Sequence, residues 1–242
     1  MINRELSISE IEQMILDEFQ ATPFHNLFYL EWCIPSRALG GGTCSDKVLA
    51  LRTRLQCANV SARLHNSWIN DQLCHRVLAL ELDDGVYYAD VGNGWPSFRL
   101  FPADREVRYK AFGIVFQTRL RNQFLDVYQI KEGRESLSQS IPKQKQRESA
   151  VISAINQRFN GEISYPFRAA LRYAQVVDDD FLFLKGDELR IYSDRAITRR
   201  IQISNRTSQL SALQTYFGLD LEACGLSESK LRCGRGAWGC SS

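Results

Sequence analysis

A cysteine, a histidine and an aspartate that could form a nucleophilic triad follow one another in the first half of the chain. Cys44 ends the run Gly40-Gly41-Gly42-Thr43-Cys44, His75 follows 31 residues later, and Asp90 follows 15 residues after His75. When such side chains are hydrogen-bonded in a row, the imidazole takes the thiol proton, the carboxylate orients the imidazole, and the thiolate attacks a carbonyl carbon. These residues therefore predict acyl transfer through a thioester on Cys44.

The position of Cys44 favours ionisation of its thiol. An unperturbed cysteine has a pKa of about 8.5 and is mostly protonated at neutral pH, although the thiolate is the nucleophile. Val48, Leu51 and Leu55 have the spacing of one helix face, so Cys44 is predicted at a helix N-terminus, which stabilises an anion. The glycines allow a tight turn ahead of this helix, and the backbone N–H of Cys44 is a candidate oxyanion donor.

A predicted β-hairpin brings the other two residues to one face. The turn Asp83-Asp84-Gly85 separates two alternating apolar segments that carry His75 and Asp90. If a four-residue loop closes the hairpin, paired positions sum to 167, and Asp90 faces Val77, diagonal to His75 with roughly 7–8 Å between their backbones. A two-residue turn would pair Asp90 with Ala79, farther from His75. In both registers the imidazole and the carboxylate leave the same face of the hairpin.

Each of the three residues has an ordinary explanation when it is considered alone. One cysteine among seven is usually a buried apolar group, and a histidine at the start of a strand is more often structural. Asp90 before Val-Gly-Asn-Gly could belong to a turn. Their order and shared face make coincidence a much weaker explanation for the set.

Hydrophobic periodicity predicts an α+β chain. Residues 1–58 are mainly helical by this criterion, and Ser7 with Glu10 forms a capping box at the first helix. Later segments have the alternation and composition of strands, near Val60–Leu64, Cys74–Leu82, Val86–Val91, Val107–Gln117, Phe181–Leu184, Leu189–Tyr192 and Arg200–Ile203. The polar residues 131–150 predict an exposed loop or linker, and the glycine-rich end of the chain, residues 225–242, predicts a mobile tail.

Composition and charge argue against several classes of function. The 242 residues are 44% hydrophobic and 24% charged with a formal net charge of +2, so no strong field favours nucleic acid or a membrane surface. Neither a signal peptide nor an apolar run of membrane-spanning length is recognisable, which predicts a soluble, cytoplasmic protein. Seven scattered cysteines without a Cys-x-x-Cys pair, and only three histidines, argue against a metal site.

Several short segments together resemble the arylamine N-acetyltransferase family. Pro23-Phe24-His25-Asn26-Leu27 resembles the family's Pro-Phe-Glu-Asn-Leu segment, and Gly41-Gly42-Thr43-Cys44 resembles its Gly-Gly-x-Cys nucleophile motif. His75 and Asp90-Val91-Gly92-Asn93-Gly94 resemble its His and Asp-Val-Gly-Phe-Gly elements, and residues 210–221 resemble its closing helix. The resemblance covers most of residues 5–221; it is strong over 23–94 and weak over 118–175.

The resemblance implies a fold, a reaction and a set of site residues. The fold would comprise a helical domain (1–58) with the nucleophile, a β-barrel domain (59–130) with the His and Asp, the linker 131–150, and an α/β lid (151–224), around a papain-like Cys-His-Asp site. An acyl group, acetyl from acetyl-CoA in the family, would pass to the cysteine and then to an amine by ping-pong chemistry. The candidate residues are catalytic Cys44, His75 and Asp90; substrate-binding Phe24, Thr43, Cys74 and Asn93; and cofactor-binding Gly92 and Gly94.

Some of these assignments have competing interpretations. Phe24 is as easily explained by the core as by an acceptor pocket, and Cys74 is predicted on the strand face opposite His75, which favours the core. Gly92 and Gly94 would leave room for a cofactor. Four arginines, 195, 199, 200 and 206, could contact the phosphates of a CoA or phosphopantetheine donor, but a solvated strand edge explains them better.

Three departures from the family pattern bear on the substrate. Gly40 replaces the family's Arg, and His25 replaces its Glu, so two opposite charges are lost together, which suggests a replaced ion pair. Asn93 replaces a Phe whose flat apolar ring would help to hold an arylamine. An amide at this position suggests an acceptor with hydrogen-bonding groups, unless Asn93 is only a turn residue.

Alternative functions remain open on the sequence alone. Within the same fold, an amide synthase would take a larger acyl group from an acyl-carrier-protein thioester in a biosynthetic pathway. A transglutaminase-like or peptidase enzyme would use the same triad to exchange or hydrolyse amides without CoA. A binding module that retains only the fold would have an unreactive Cys44, and the complete set of triad residues argues against it.

Overall fold

Two antiparallel sheets and four α-helices form the described part of the chain. The structure is a computed structural model, and it describes residues 6–30, 39–157, 170–195 and 198–226. The helices are α1 (Ile8–Ala21), α2 (Cys44–Cys57), α3 (Glu148–Asn156) and α4 (Arg206–Phe217). The strands are β1 (Phe24–His25), β2 (Ala62–Ile69), β3 (Gln72–Leu82), β4 (Gly85–Ala89), β5 (Phe101–Pro102), β6 (Arg108–Ala111), β7 (Ile114–Arg121), β8 (Phe124–Lys131), β9 (Arg134–Pro142), β10 (Arg172–Val177), β11 (Asp180–Lys185), β12 (Glu188–Ser193) and β13 (Arg199–Gln202). The predicted α+β class is confirmed.

The two N-terminal helices form as their sequences predict. The Ser7 N–H donates to Glu10 Oε2 (2.8 Å) and the Glu10 N–H donates to Ser7 Oγ (3.3 Å), which confirms the capping box of α1. The predicted apolar faces are buried as well, at Ile11, Ile15 and Phe19 in α1 and at Val48, Leu51 and Leu55 in α2. Burial of these faces fixes the start of α2, and hence Cys44, against the sheet.

The larger sheet is curled and contains eight strands in the order β5-β4-β3-β2-β9-β8-β7-β6. Helix α2 packs on β2 and β3, so the start of α2 lies next to the hairpin β3–β4. The segment predicted as one strand over 107–117 is two strands, β6 and β7, because Phe112 and Gly113 have positive φ angles and form a turn.

The smaller sheet has five strands in the order β1-β10-β11-β12-β13 and buries side chains on both faces. Phe181 and Phe183 of β11 belong to the core beneath the large sheet, whereas Leu182 and Leu184 of the same strand belong to a second core with α4. This alternation is the two-residue period of a strand whose two faces are both covered. One face of the small sheet is therefore placed against the region of the candidate triad.

The prediction of a loop or linker over residues 131–150 is wrong for most of that segment. Strand β9 pairs along β8 and meets β2 at Trp68, and α3 begins at Glu148. Between Val127 and Tyr128 of β8 the register shifts by one residue, which leaves Ser138 of β9 as a β-bulge. Hydrophobic alternation fails as a signal here because Ile141 is the one fully buried apolar side chain among the described residues of β9, whereas Ser138 and Gln139 are bonded to other polar side chains.

The remaining expectations concern the ends of the chain and membranes. Residues 227–242, nearly all of the predicted mobile tail, lie outside the described residues, as do Cys33, Cys233 and Cys240. Within the described ranges, no helix is both long and apolar enough to cross a membrane.

Candidate active site

Cys44 is the first residue of α2, as the sequence predicts, and a capping interaction fixes the turn before it. The Thr43 N–H and hydroxyl donate to Asp46 Oδ2 at 3.0 and 3.2 Å. A Cβ on Gly42 would lie 2.5 Å from the same oxygen, and one on Gly41 would lie 2.1 Å from Pro23 O; both glycines have positive φ. The glycines are therefore required by the close approach of the turn to α2 and to the N-terminal segment.

The hairpin has the first of the two predicted registers. Leu78 pairs with Ala89 and Leu82 pairs with Gly85, so paired positions sum to 167. The ring of His75, at Nε2, is hydrogen-bonded to Asp90 Oδ1 at 2.9 Å, and both side chains are buried. Since Asp90 takes Nε2, the other ring nitrogen, Nδ1, is left for the thiol of Cys44.

Asp90 is held by donors from three parts of the chain. Besides His75, its Oδ1 accepts from the Gly92 N–H (3.1 Å), and its Oδ2 accepts from Gln139 Nε2. Gln139 is held in turn by the Ser67 hydroxyl, which donates to its Oε1 at 2.6 Å. Gln139 was missed by the sequence analysis because it lies in the segment predicted as a loop.

The thiol and the imidazole stabilise each other's charged forms. Burial is the largest influence on Cys44 and opposes ionisation, but the hydrogen bond and charge of His75 and the charge of Arg76 together lower the pKa of the thiol. Burial also opposes the charged form of His75, yet the charge and hydrogen bond of Asp90, with the contribution of Cys44, raise the pKa of the imidazole. The arrangement favours a thiolate–imidazolium pair.

Arg76 is a second buried group that sequence reasoning missed. Its side chain is fully buried, and its Nη1 donates to the His75 carbonyl oxygen at 2.9 Å. Among the residues that the structure describes, its Nε and Nη2 find no hydrogen-bond partner. Two residues before Arg76, the carbonyl oxygen of Cys74 lies 3.9 Å from Cys44 Sγ. The charge of the Arg76 guanidinium acts on the thiol of Cys44 in a region of low dielectric.

A cavity of about 320 Å³ contains the exposed edge of the thiol. It is lined by residues of both sheets and of the loops between them, namely Phe24, Cys44, Ile69, Asn70, Cys74, His75, Gly92, Asn93, Trp95, Gln129, Lys131, Ser136, Leu137, Ser138, Arg172 and Phe183. Phe24, Asn93 and Cys74 thus line the cavity; the expectation that Cys74 is core is wrong, because this thiol is only half-buried. Thr43 caps α2 and is outside the lining.

The two glycines expected to leave room for a cofactor each have other parts of the protein close to their Cα hydrogens. A Cβ on Gly92 would lie 2.5 Å from the Cα of Cys44, so the backbone of the nucleophile occupies that space. A Cβ on Gly94 would lie 3.2 Å from the ring of Phe24. Gly92 allows the loop after Asp90 to pass close to α2, and it also lines the cavity.

Asn93 is a turn residue whose side chain also lies in the cavity wall. Its Oδ1 accepts from the Trp95 N–H at 2.9 Å, which closes a turn, and its Nδ2 donates to Ser138 Oγ at 3.3 Å in the cavity wall. Next along the wall, the Gln129 Nε2 donates to Ser138 Oγ (3.0 Å) and the Lys131 Nζ donates to Gln129 Oε1 (2.8 Å).

Lys131 lies over the ring of Trp95, with its Nζ 3.5 Å from the ring centroid. Burial, and then the nearby charges of Arg190 and Lys185, lower the pKa of Lys131 to about 8. Trp95 packs on Phe181 and Phe183 of the small sheet. The small sheet thereby supports the wall of the cavity.

His25 and Gly40, the two positions at which opposite charges are replaced, are in contact. His25 Nε2 lies 3.2 Å from Gly40 O, and the Leu27 N–H donates to His25 Nδ1 at 3.3 Å. Burial lowers the pKa of His25 to about 4. A neutral ring that carries its proton on Nε2 satisfies both contacts, so a bond from side chain to backbone stands where the family pattern has two charges.

Two of the four C-terminal arginines, Arg195 and Arg200, are paired with acidic side chains on the surface. Arg195 lies 2.9 Å from Asp179, and Arg200 contacts Glu132 and Glu188. Strand β13 is the edge of the small sheet. These pairs support the interpretation as a solvated strand edge over that of a phosphate site.

Comparisons with known proteins identify the family and the fold. A family model described as N-acetyltransferase matches residues 48–225, a span that contains His75 and Asp90 and begins just after Cys44. No curated protein matches the chain significantly in sequence. In the described part of the chain, no group of three or more His, Cys, Asp or Glu side chains could hold a metal ion.

Solved structures of arylamine N-acetyltransferases share the fold at low sequence identity. The enzyme of Mycobacterium marinum in complex with CoA superposes with a TM-score of 0.77 at 17% identity, covering 96% of this chain and 94% of that one. A cysteine-to-glutamine variant of the Mycobacterium smegmatis enzyme gives 0.76 at 17% identity, with 96% and 92% covered. The Salmonella typhimurium enzyme gives 0.74 at 18% identity, with 95% and 93% covered.

Proposed function

The chain belongs to the arylamine N-acetyltransferase family and is an acyltransferase, and from this premise we propose that Cys44, His75 and Asp90 carry an acyl group from a CoA thioester to an amine. The observation that supports this most is the buried hydrogen bond between His75 and Asp90 beside a cysteine at a helix start, which lines a cavity. The acyl group is acetyl in the first instance, and the acceptor is a small amine.

In the first half-reaction the Cys44 thiolate attacks the thioester carbonyl carbon. A tetrahedral intermediate forms, with the backbone N–H of Cys44 as a candidate donor to its oxyanion. The bond from carbon to the CoA sulfur then breaks, and the leaving thiolate takes the proton of the His75 imidazolium. The products are free CoA thiol, an acylated Cys44 and a neutral His75.

In the second half-reaction an amine enters after CoA has left, which makes the kinetics ping-pong. The amine nitrogen attacks the acyl carbon while neutral His75 takes its proton as general base. The C–N bond forms, the bond from carbon to Cys44 Sγ breaks, and the thiolate–imidazolium pair is restored. Asp90 orients the imidazole and stabilises its charged form at both ends of the cycle.

We also propose the functional division that the family resemblance implies. The helical part, residues 1–58, supplies the nucleophile, a barrel-like sheet supplies His75 and Asp90, and the C-terminal sheet with α4 acts as a lid. Because β9 belongs to the large sheet, the strand-rich part extends beyond the boundary expected at residue 130. A cytoplasmic location stays a prediction from the sequence.

An amide synthase fed by an acyl carrier protein is the second candidate. The polar wall formed by Asn93, Ser138 and Gln129 suits an acceptor richer in hydrogen-bonding groups than a simple arylamine. The two candidates share every chemical step and differ in the carrier of the thioester. Amide exchange or hydrolysis without CoA remains only a sequence-based alternative.

Intact-protein mass spectrometry tests the mechanism and separates the donors. The protein is mixed with acetyl-CoA, longer acyl-CoAs and acyl-carrier thioesters, beside a Cys44→Ala control. We expect a mass increase of one acyl group in the wild type and none in the control, and the donor that reacts fastest identifies the carrier. Rapid alkylation of Cys44 without acylation by any of these donors would contradict the proposal.

A further inference from the structure

The cavity at Cys44 is positively charged. Lys131 and Arg172 both line it, and the described lining residues include no aspartate or glutamate. Since the chain as a whole has a formal charge of only +2, this local excess is a property of the cavity and not of the surface in general. A small enclosed space with cationic walls concentrates anions.

Lys131 has unused capacity to bind an anion. Its ammonium donates one hydrogen bond, to Gln129 Oε1 at 2.8 Å, and otherwise rests on the face of Trp95. Among the described residues it forms no ion pair, in contrast to Arg200 and Arg190, whose charges are paired with Glu188. An ammonium has three N–H groups, so Lys131 can donate further hydrogen bonds.

In the polar wall, the existing hydrogen bonds occupy acceptor atoms and leave a donor hydrogen available to a ligand. The amide oxygens of Gln129 and Asn93 already accept from Lys131 and from the Trp95 N–H. Ser138 Oγ accepts from both amide nitrogens, of Gln129 and Asn93, so its own hydroxyl proton is free to be donated. The wall therefore offers a ligand an ammonium and a hydroxyl proton.

We propose that this cavity binds a small anionic group, a carboxylate in the first instance, that belongs to one of the two substrates, with Lys131 and Ser138 as its hydrogen-bond donors. The inference rests on the proposed function, because the anionic group shares a cavity with Cys44. A volume of about 320 Å³ is at the lower end for ligand pockets, so a ring-sized molecule fits. The carboxylate can come from the acceptor amine or from the acyl chain of the donor.

Two arms of one experiment separate these sources. In the acceptor arm, acetyl-CoA is the donor and KM and kcat are compared for 4-aminobenzoate and its neutral counterpart 4-aminobenzamide. In the donor arm, the rate of Cys44 acylation by succinyl-CoA is compared with the rate for acetyl-CoA. Each arm uses the wild type, Lys131→Met, Ser138→Ala and, as a matched control, Lys145→Met, which removes an exposed charge.

We expect a preference for the carboxylate of about tenfold or more in at least one arm, as for a hydrogen bond to a charged group. Lys131→Met should abolish the preference, Ser138→Ala should reduce it, and Lys145→Met should retain it. Equal rates and KM values for charged and neutral substrates in both arms, or a preference that survives Lys131→Met, would overturn the inference.

Binding without turnover keeps this test separate from that of the acyl transfer. Calorimetry on the Cys44→Ala variant measures the Kd of 4-aminobenzoate and 4-aminobenzamide when no acyl-enzyme can form. If no donor acylates Cys44 in the wild type, the proposed function fails. Even then, a carboxylate preference in this variant that depends on Lys131 would support the anion site. The anion site alone would be overturned by three results together: equal Kd values, normal acylation by acetyl-CoA, and no preference for succinyl-CoA.

Discussion

At the scale of single residues, the orientation of the imidazole depends on groups that contact neither substrate nor sulfur. Asp90 accepts hydrogen bonds from His75, from the Gly92 N–H and from Gln139. A buried carboxylate that accepts from several donors is fixed in position. Gln139 is therefore a positioning residue whose effect reaches Cys44 through two intervening side chains.

Gln139→Leu removes one of these donors at nearly constant side-chain size. We expect acylation of Cys44 to slow by roughly 10- to 100-fold, the range for a lost hydrogen bond to a buried charge. Because a less firmly held Asp90 stabilises imidazolium less well, the alkylation rate of Cys44 should also rise at a higher pH than in the wild type. Alkylation rates measured across pH test this, with the exposed Gln56→Leu as control; an unchanged profile would reduce Gln139 to a purely structural role.

Arg76→Met separates an electrostatic effect from a structural one. The guanidinium lowers the pKa of Cys44, so its loss should raise that pKa and move the alkylation profile to higher pH. The same change removes a fully buried charge with two nitrogens that lack partners among the described residues, so Tm should be unchanged or higher. Alkylation profiles and melting curves decide this, with the exposed Arg108→Met as control. A lower Tm with an unshifted profile would contradict the assignment.

At the scale of secondary structure elements, the turn that precedes α2 is attached to β1 through His25. The folded-state pKa of His25 is about 4, below the ordinary value of 6.5. As the pH falls, the unfolded chain therefore protonates His25 before the folded chain does. The free energy of unfolding contributed by neutral His25 is present above pH 6.5 and is lost as the pH falls towards 4. The imidazole is buried, so this contribution does not depend on surface screening.

His25→Gln tests the pH dependence while retaining a donor towards Gly40. Between pH 7.5 and pH 5, the free energy of unfolding of the wild type should fall by about 2 kcal/mol more than that of the variant. Denaturant titrations at the two pH values measure both quantities, and His65 contributes equally to each protein. Parallel pH dependence in the two proteins would show that His25 is not the group responsible.

Elements whose inward side chains are apolar were predictable from the sequence, and elements whose inward side chains are polar were not. Helix α2 and the hairpin β3–β4 follow hydrophobic patterns, so the helix start at Cys44 and the shared face of His75 and Asp90 could be predicted, whereas the choice between the two hairpin registers came from the structure. Strand β9 carries Ser138 and Gln139 inward, and such residues are ordinarily signs of a loop. Its partners lie far away in sequence, so no local pattern indicates the pairing.

At the scale of the whole molecule, the short strand β1 lies between the two hydrophobic cores, beside the turn that precedes Cys44. Phe24 of β1 belongs to the core of the large sheet and bridges to Gly42, whereas the adjacent Leu27 belongs to the core with α4. Asn26 lies between them and exchanges hydrogen bonds with residues 170 and 172, at the start of β10. The segment from Phe24 to Leu27 is thus part of both cores, and its bridge to Gly42 connects both cores to the turn before Cys44.

Because of the bulge in β9, the number of residues in this strand decides which side chains face the cavity, as much as the residue types do. Ser138 faces the cavity, whereas Gln139, the next residue, faces Asp90. A shift of pairing by one residue exchanges the two faces of a strand. If a gap is misplaced by one position here when homologues are aligned, the residue that matches Gln139, which holds Asp90, is aligned with Ser138, which lines the cavity. An insertion or deletion at this bulge would therefore change which side chain meets Asp90 and which lines the cavity, even when every side chain elsewhere is the same.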